Sequence, residues 1–118
     1  MKNLSFIPLS VPDFRGNSAA MVTKSIRENW VSSAGPKVDE FESLLAKEVK
    51  SKFVLATITG STALHLALSV LGIGRGHKVL VPDFTFAATI NSVIISGAEP
   101  ILVDIDRDTW TLDLESTK

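Results

Sequence analysis

The chain has no cysteine. That excludes disulfides and thiolate metal sites, and it fits a reducing compartment, so a cytoplasmic location is expected. No run of about 18 apolar residues occurs, so no membrane span is expected. The opening Met1-Lys2-Asn3-Leu4-Ser5-Phe6 lacks the apolar core of a signal peptide, because Pro8, Pro12 and Asp13 interrupt the segment after it. An excess of one charge is also missing: 12 Lys and Arg against 13 Asp and Glu leave a net charge of −1. The basic residues are scattered, whereas a nucleic-acid surface needs a basic patch or stripe. Nucleic acid is therefore not an expected partner. The two histidines, His65 and His77, fall in different elements and form no i, i+4 ligand pair. His65 reads as a packed or hydrogen-bonded side chain in an apolar helix, and no metal is expected.

Repeats, low-complexity tracts and Pro/Gly/Ser linkers are absent as well, so no domain boundary is marked. What is present suits one soluble globular domain: 118 residues, 45% of them hydrophobic and 21% charged. Residues 1–13 read as an extended lead-in, with prolines blocking helix. Asn17 or Ser18 can cap a helix running to about Asn29, with Met21, Val22 and Ile26 on its apolar face. Trp30 to Gly35 is a loop, and Pro36 suits a first helical position. Val38, Phe41, Leu44, Leu45 and Val49 then recur at helical spacing to about residue 50. Strand 53–57, helix 61–71, strand 78–81, helix 86–96 and strand 100–104 come next. That βαβαβ alternation predicts a three-layer α/β arrangement, a mostly parallel sheet with flanking helices. Helix 61–71 is apolar nearly all round and is expected to be buried on most sides. In a lone 118-residue chain one of its faces would have little to cover it.

The segment Thr57-Ile58-Thr59-Gly60-Ser61-Thr62-Ala63-Leu64-His65-Leu66-Ala67-Leu68 carries the first chemical signal. Phe53-Val54-Leu55-Ala56 ends in small polar residues around one glycine, then turns into strong helix formers. The first N–H groups of a helix have no internal partner, and the macrodipole adds partial positive charge there. A strand, a Gly/Ser/Thr turn and a helix start therefore form a local geometry that can hold a phosphate. Gly60 lets a ligand approach the backbone, and Ser61 and Thr62 add hydroxyl donors. An ordinary Ser/Thr helix cap is the plainer reading of the same residues.

A second strand–turn–helix, Val79-Leu80-Val81-Pro82-Asp83-Phe84-Thr85-Phe86-Ala87-Ala88-Thr89-Ile90-Asn91, places two aromatic rings at the carboxyl end of a strand. Ligands of open parallel sheets bind there. Phe84 reads as core, while Phe86 suits either the core or the face of a flat cofactor. The cluster Gly72-Ile73-Gly74-Arg75-Gly76 closes a helix and precedes a strand. It is therefore a C-cap and turn rather than a dinucleotide-binding loop, which would come after a strand and open a helix.

Five blocks occur in order: Ile7-Pro8-Leu9-Ser10-Val11-Pro12, Asn29-Trp30-Val31-Ser32-Ser33-Ala34-Gly35-Pro36, Gly60 to Leu68, Pro82 to Asn91, and Gly97-Ala98-Glu99-Pro100-Ile101-Leu102-Val103-Asp104-Ile105-Asp106. In order and spacing they resemble the amino-terminal third of the DegT/DnrJ/EryC1/StrS aminotransferases, across essentially the whole chain. The resemblance implies part of the large domain of an aspartate-aminotransferase (fold type I) enzyme. Its cofactor would be pyridoxal 5′-phosphate (PLP), and its reaction the amination of keto-sugars carried on nucleotides. Residues 1–35 would be the lead-in, first helix and substrate-side loop, and residues 36–118 the βαβαβ-containing segment.

PLP needs a phosphate cradle, a partner for its ring face, a carboxylate at its pyridine nitrogen and a lysine to hold it covalently. By resemblance Gly60, Ser61 and Thr62 match the phosphate-cradling turn, where a threonine is usual in place of Ser61. Phe86 matches the stacking aromatic, and Thr89 a helix threonine near the cofactor. Trp30, Ser32 and Ser33 match a loop near the substrate. The pyridine-nitrogen aspartate and the lysine would lie beyond residue 118. None of the lysines present sits in a segment resembling the family's lysine motif, and Asp104 and Asp106 read as strand-end and turn carboxylates. Gly76-His77-Lys78 departs from the usual Gly-Asp-Glu at a surface turn.

The expected activity is amino transfer from an amino acid, glutamate by preference, to a nucleotide-linked keto-sugar, in a homodimer. The opening block and the loop at 30–35 most resemble members acting on UDP-linked 4-keto-6-deoxy-N-acetylhexosamines. Two alternatives stay open: a sugar dehydratase of the same family with histidine in place of the lysine, and a non-catalytic α/β binding module. Asp113-Leu114-Glu115, close to the last residue, reads as the start of a new helix, so a longer protein is expected. In the fold that the sequence resembles, strands outside this chain separate strand 53–57 from strand 78–81, while strands 78–81 and 100–104 pair directly. The 118 residues alone are expected to self-associate or to repair the sheet with a non-native strand order, and to lack transaminase activity.

Overall fold

A computed structural model describes residues 6–113 and 115. The expected helix start after Asp113 and the first five residues of the lead-in lie outside the described residues. The chain divides into two compact units, Met1–Ala56 and Thr57–Lys118.

The first unit holds α1 (Ser18–Arg27) and α2 (Pro36–Glu48), close to the ranges read from the sequence. Pro36 opens α2, where its missing N–H costs no helical hydrogen bond. Both helices end in the same way. The N–H groups of Asn29 and Trp30 bond back to Ile26 and Ser25, and those of Lys50 and Ser51 bond back to Lys47 and Ala46. These are Schellman closures, and they draw Asn29 and Lys50 into the left-handed region at φ 60° and 53°.

Residues 53–57 are extended but are not a strand, contrary to the sequence expectation. A strand exists only through a hydrogen-bonded neighbour, and no described residue forms a ladder with this segment. The N–H of Ala56 instead donates to Glu42 Oε1 at 2.7 Å. The βαβαβ expectation therefore becomes αβαβ in the second unit.

That unit runs α3 (Gly60–Val70), β1 (Lys78–Pro82), α4 (Ala87–Ile95) and β2 (Glu99–Val103). The two strands pair in parallel from Lys78↔Glu99 to Pro82↔Val103, which is the direct pairing the sequence predicts. Parallel strands need a crossover, and α4 supplies it. Its inner face packs on the sheet: Val81, Val93 and Ala98 form the buried cluster, with Leu68, Ile73, Val79 and Ile90 against it. Within this unit the opposite sheet face carries no helix among the described residues, and Leu80 is about half exposed there. Helix α3 packs on α4, yet none of its residues is buried. Its expected burial on most sides is therefore not met, because α4 covers only one of its faces.

Both helices of this unit also close with Schellman turns. Gly72 and Ile73 bond back to Ser69 and Leu68, and Gly97 and Ala98 bond back to Ile94 and Val93. In each case the hydrophobic residue after the glycine returns to the core beside its bonding partner. The glycine cluster at 72–76 is thus the C-cap and turn that the sequence indicates. Phe84 is not core: it is exposed and meets Trp110 edge-on, with ring centroids 5.5 Å apart.

After β2 the chain folds into a tight turn. Asp106 Oδ1 accepts from the N–H groups of Asp108 and Thr109 and from the Thr109 hydroxyl, and Ile105 pairs antiparallel with Leu112. Asp104 Oδ1 accepts from Ile105 N–H. Both aspartates are therefore turn carboxylates.

The closures and the Asp106 turn can each be tested. Gly97 sits at φ +86°, and an added Cβ would meet only Arg75 N at 3.5 Å, an ordinary contact. The cost of Gly97→Ala is thus conformational, and a loss of about 1 kcal/mol is expected in urea denaturation. The Thr109 backbone N–H, then its hydroxyl, then the Asp108 N–H hold the Asp106 carboxyl below its ordinary value. Its stabilisation is present above the unfolded carboxylate pKa and is lost as pH falls through the lower folded value. Asp106→Asn should flatten the acid limb of melting temperature against pH; an unchanged slope would contradict this.

Candidate cofactor site

The site is built on the first turn of α3. Thr59, in extended backbone, is the N-cap, and its Oγ1 accepts from Thr62 N–H at 3.2 Å. The Thr59 and Thr62 hydroxyls lie 3.0 Å apart, so one of the two donates to the other. Thr59 C=O accepts from Ala63 N–H and from the Thr57 hydroxyl. The plainer reading of this segment as a Ser/Thr cap is therefore correct, with Thr59 as the capping residue.

The cap does not consume the site. Among the described residues, the N–H groups of Gly60 and Ser61 and the Ser61 hydroxyl meet no acceptor. Thr62 contributes less than the sequence suggests, because its N–H serves the cap and its hydroxyl is paired. An added Cβ at Gly60 would meet no protein atom within 4 Å. The space beside Gly60 is therefore open.

The fold sets this turn beside the start of α4. Ser61, Thr62 and His65 of α3 and Phe86, Ala87 and Asn91 of α4 line one groove of about 420 Å³. Phe86 is the N-cap of α4, and its side chain makes no cap hydrogen bond. Its ring is 81% exposed, so it is available to a flat ligand. Two helix N-termini open on this groove, and no acidic side chain lines it. Both dipoles favour an anion there.

Of the residues singled out in the sequence, the structure brings Ser61, Thr62 and Phe86 into one groove, with Gly60 at the head of the same helix. Thr89 does not line it. Thr89 is half-buried on α4, with its hydroxyl 3.0 Å from that of Thr85. Trp30, Ser32 and Ser33 belong to the first unit. Trp30 lines a different groove, with Met21, Ile26, Phe41 and Leu44. Its ring lies where a Cβ on Gly35 (φ +147°) would come within 2.9 Å. Ser32 Oγ accepts a long 3.4 Å bond from Ala34 N–H.

Sequence reasoning passed over His65, Asn91 and Ser92 as groove residues. His65 lies one helical turn after Ser61, so i, i+4 spacing could have placed it on the same face. No equivalent signal marks Asn91 and Ser92, whose position depends on how α4 packs against α3.

Comparison with known proteins gives this geometry its context. A profile of the DegT/DnrJ/EryC1/StrS aminotransferase family matches residues 12–118. The chain belongs to this family. The GDP-perosamine synthase of Caulobacter vibrioides is 42% identical over 113 residues, covering 96% of this chain and 30% of that protein. The GDP-perosamine synthase of Vibrio cholerae is 37% identical, covering 95% and 30%. A DegT DnrJ EryC1 StrS aminotransferase from Brucella abortus superposes with a TM-score of 0.75 at 41% identity, over 82% of this chain and 26% of that one. A Streptococcus pneumoniae protein solved in its PLP form superposes with a TM-score of 0.86 at 32% identity, over 94% and 28%. The chain thus spans about 30% of the length of the curated relatives it matches. The fold is a partial fold-type I PLP-dependent aminotransferase, and the family's cofactor is PLP.

The cap yields a prediction. Thr59→Ala removes the acceptor for Thr62 N–H and should cost about 1 kcal/mol in denaturant unfolding, whereas Thr59→Ser should stay within about 0.5 kcal/mol of the parent. Equal losses in both variants would show that the hydroxyl is not what holds the turn.

Proposed function

We propose that the complete protein is a PLP-dependent aminotransferase that moves an amino group from an amino acid, glutamate by preference, to a nucleotide-linked keto-sugar. One observation carries this reading: in a chain of this family, Ser61 of the α3 first turn and the exposed Phe86 share one groove, with Gly60 at the head of the same helix. The N–H groups of Gly60 and Ser61 and the Ser61 hydroxyl would hold the cofactor phosphate. Thr62 would orient the turn and offer the remaining proton of its hydroxyl pair. The Phe86 ring would lie against the pyridine ring and exclude water from that face. Thr89 would support the start of α4 through Thr85, and Trp30, Ser32 and Ser33 would stand on the substrate side.

When bound, PLP supplies the electron sink through which an amino group can pass between an amino acid and a keto-sugar. In this reading, the lysine that holds the cofactor and the carboxylate at its pyridine nitrogen come from parts of the protein outside these 118 residues. The perosamine synthases of V. cholerae and C. vibrioides are named for a GDP-linked sugar. The nucleotide is therefore left open between GDP and UDP. A cytoplasmic homodimer completes the proposal. No helix among the described residues is long and apolar enough to cross a membrane.

The complete protein, purified and mixed with PLP, should show the visible absorbance of bound cofactor and should aminate a nucleotide-linked keto-sugar with glutamate. Phe86→Ala should weaken PLP binding by about tenfold, as expected when an aromatic contact of this kind is lost, and Phe86→Trp should retain it. A complete protein without cofactor absorbance would overturn the reading.

A further inference from the structure

Ser92 is the buried polar side chain of the described residues, with 2% of its surface exposed. Its Oγ donates to Ala88 C=O in its own helix at 2.7 Å and to Ser61 C=O on α3 at 3.2 Å. One hydroxyl proton is shared between the two carbonyls. The second contact bridges 31 residues of sequence and joins α4 to the first turn of α3.

The peptide it touches adjoins the donors left open to an anion. Peptide units are rigid planes, so the Ser61 C=O and the Thr62 N–H turn together. Ser92 holds the oxygen end of that plane, and the Thr59 hydroxyl holds the N–H end. Fixing both ends anchors the plane next to the one that carries the Ser61 N–H, and through the helical backbone it restrains the first turn on which the Gly60 and Ser61 donors stand. The clamp comes from the helix that starts at Phe86, six residues before Ser92, so it also sets the turn relative to that ring.

We infer that Ser92 is a positioning residue for the phosphate of the cofactor, aligning the α3 first turn from the buried side of α4. The inference rests on the proposed PLP reading of the groove. It adds a residue that need not touch the cofactor.

The test uses the complete protein and two ligands, PLP and pyridoxal, which differ only in the phosphate. Alanine is the better helix former, so Ser92→Ala should keep the fold, and its melting temperature is measured alongside. Its affinity for PLP should fall by about three- to tenfold, in line with the loss of one shared hydrogen bond. Its affinity for pyridoxal should change by less than about twofold on the same scale. Ser92→Thr keeps a hydroxyl at the same position and should restore the preference for PLP.

A PLP affinity of Ser92→Ala within about twofold of the parent would overturn the inference, as would equal losses for both ligands. So would a Ser92→Thr variant as weak as Ser92→Ala. If the unsubstituted protein bound no PLP, the proposed function would fall and this inference with it. Normal PLP binding by the parent with an indifferent Ser92→Ala would sink the inference alone.

Discussion

Everything in the second unit depends on the contact between α4 and the two parallel strands. Val93 and Ala98 close over Val81, and this small apolar cluster holds the crossover helix on the sheet. Burying three such side chains is a modest hydrophobic gain, about 0.8 kcal/mol for each methylene removed from water. The position of α4 is set by that contact, and the position of α3 is set by α4. The groove between their first turns is therefore a consequence of core packing two turns away from it.

Helix closure reinforces the arrangement. All four described helices end by folding their last N–H donors back onto the final turn, and in α3 and α4 the residue after the glycine returns to the core. The ends of α3 and α4 thus face the core while their starts stay open. Among these helices only Thr59 caps a start with its side chain, and it spends itself on Thr62. The donors before Thr62 remain for a ligand. A stabilising cap and the proposed anion site are compatible because they use different N–H groups of one turn.

The groove is lined mainly by apolar and hydroxyl or amide side chains, with His65 among them. No acidic side chain and no Lys or Arg lines the groove, so helix dipoles and unpaired N–H groups would favour an anion there. Such donors are fixed by the backbone and need little reorganisation when a phosphate arrives. Their direction then becomes the quantity to control, which gives a buried hydroxyl such as that of Ser92 something to act on.

Periodicity and turn chemistry in the sequence determined the four helices, two of the three expected strands, the glycine closure at 72–76 and the turn carboxylates, while the family came from the resemblance of five ordered blocks. Local preferences suffice there, because caps, φ values and apolar spacing act within a few residues. Strand 53–57 fails for the opposite reason: a strand needs a partner, and its own residues cannot supply one. The core placement of Phe84 and the burial of α3 fail likewise, since burial depends on what covers a surface and not on how apolar it is. Ser61 and Phe86 were legible as candidate ligand groups from the strand–turn–helix pattern and the family resemblance. That they face one groove, that Thr59 is the cap, and that Ser92 bridges to Ser61 across 31 residues were decided by tertiary packing alone. Contacts between helices distant in sequence are set by the shared core, and no local pattern encodes them.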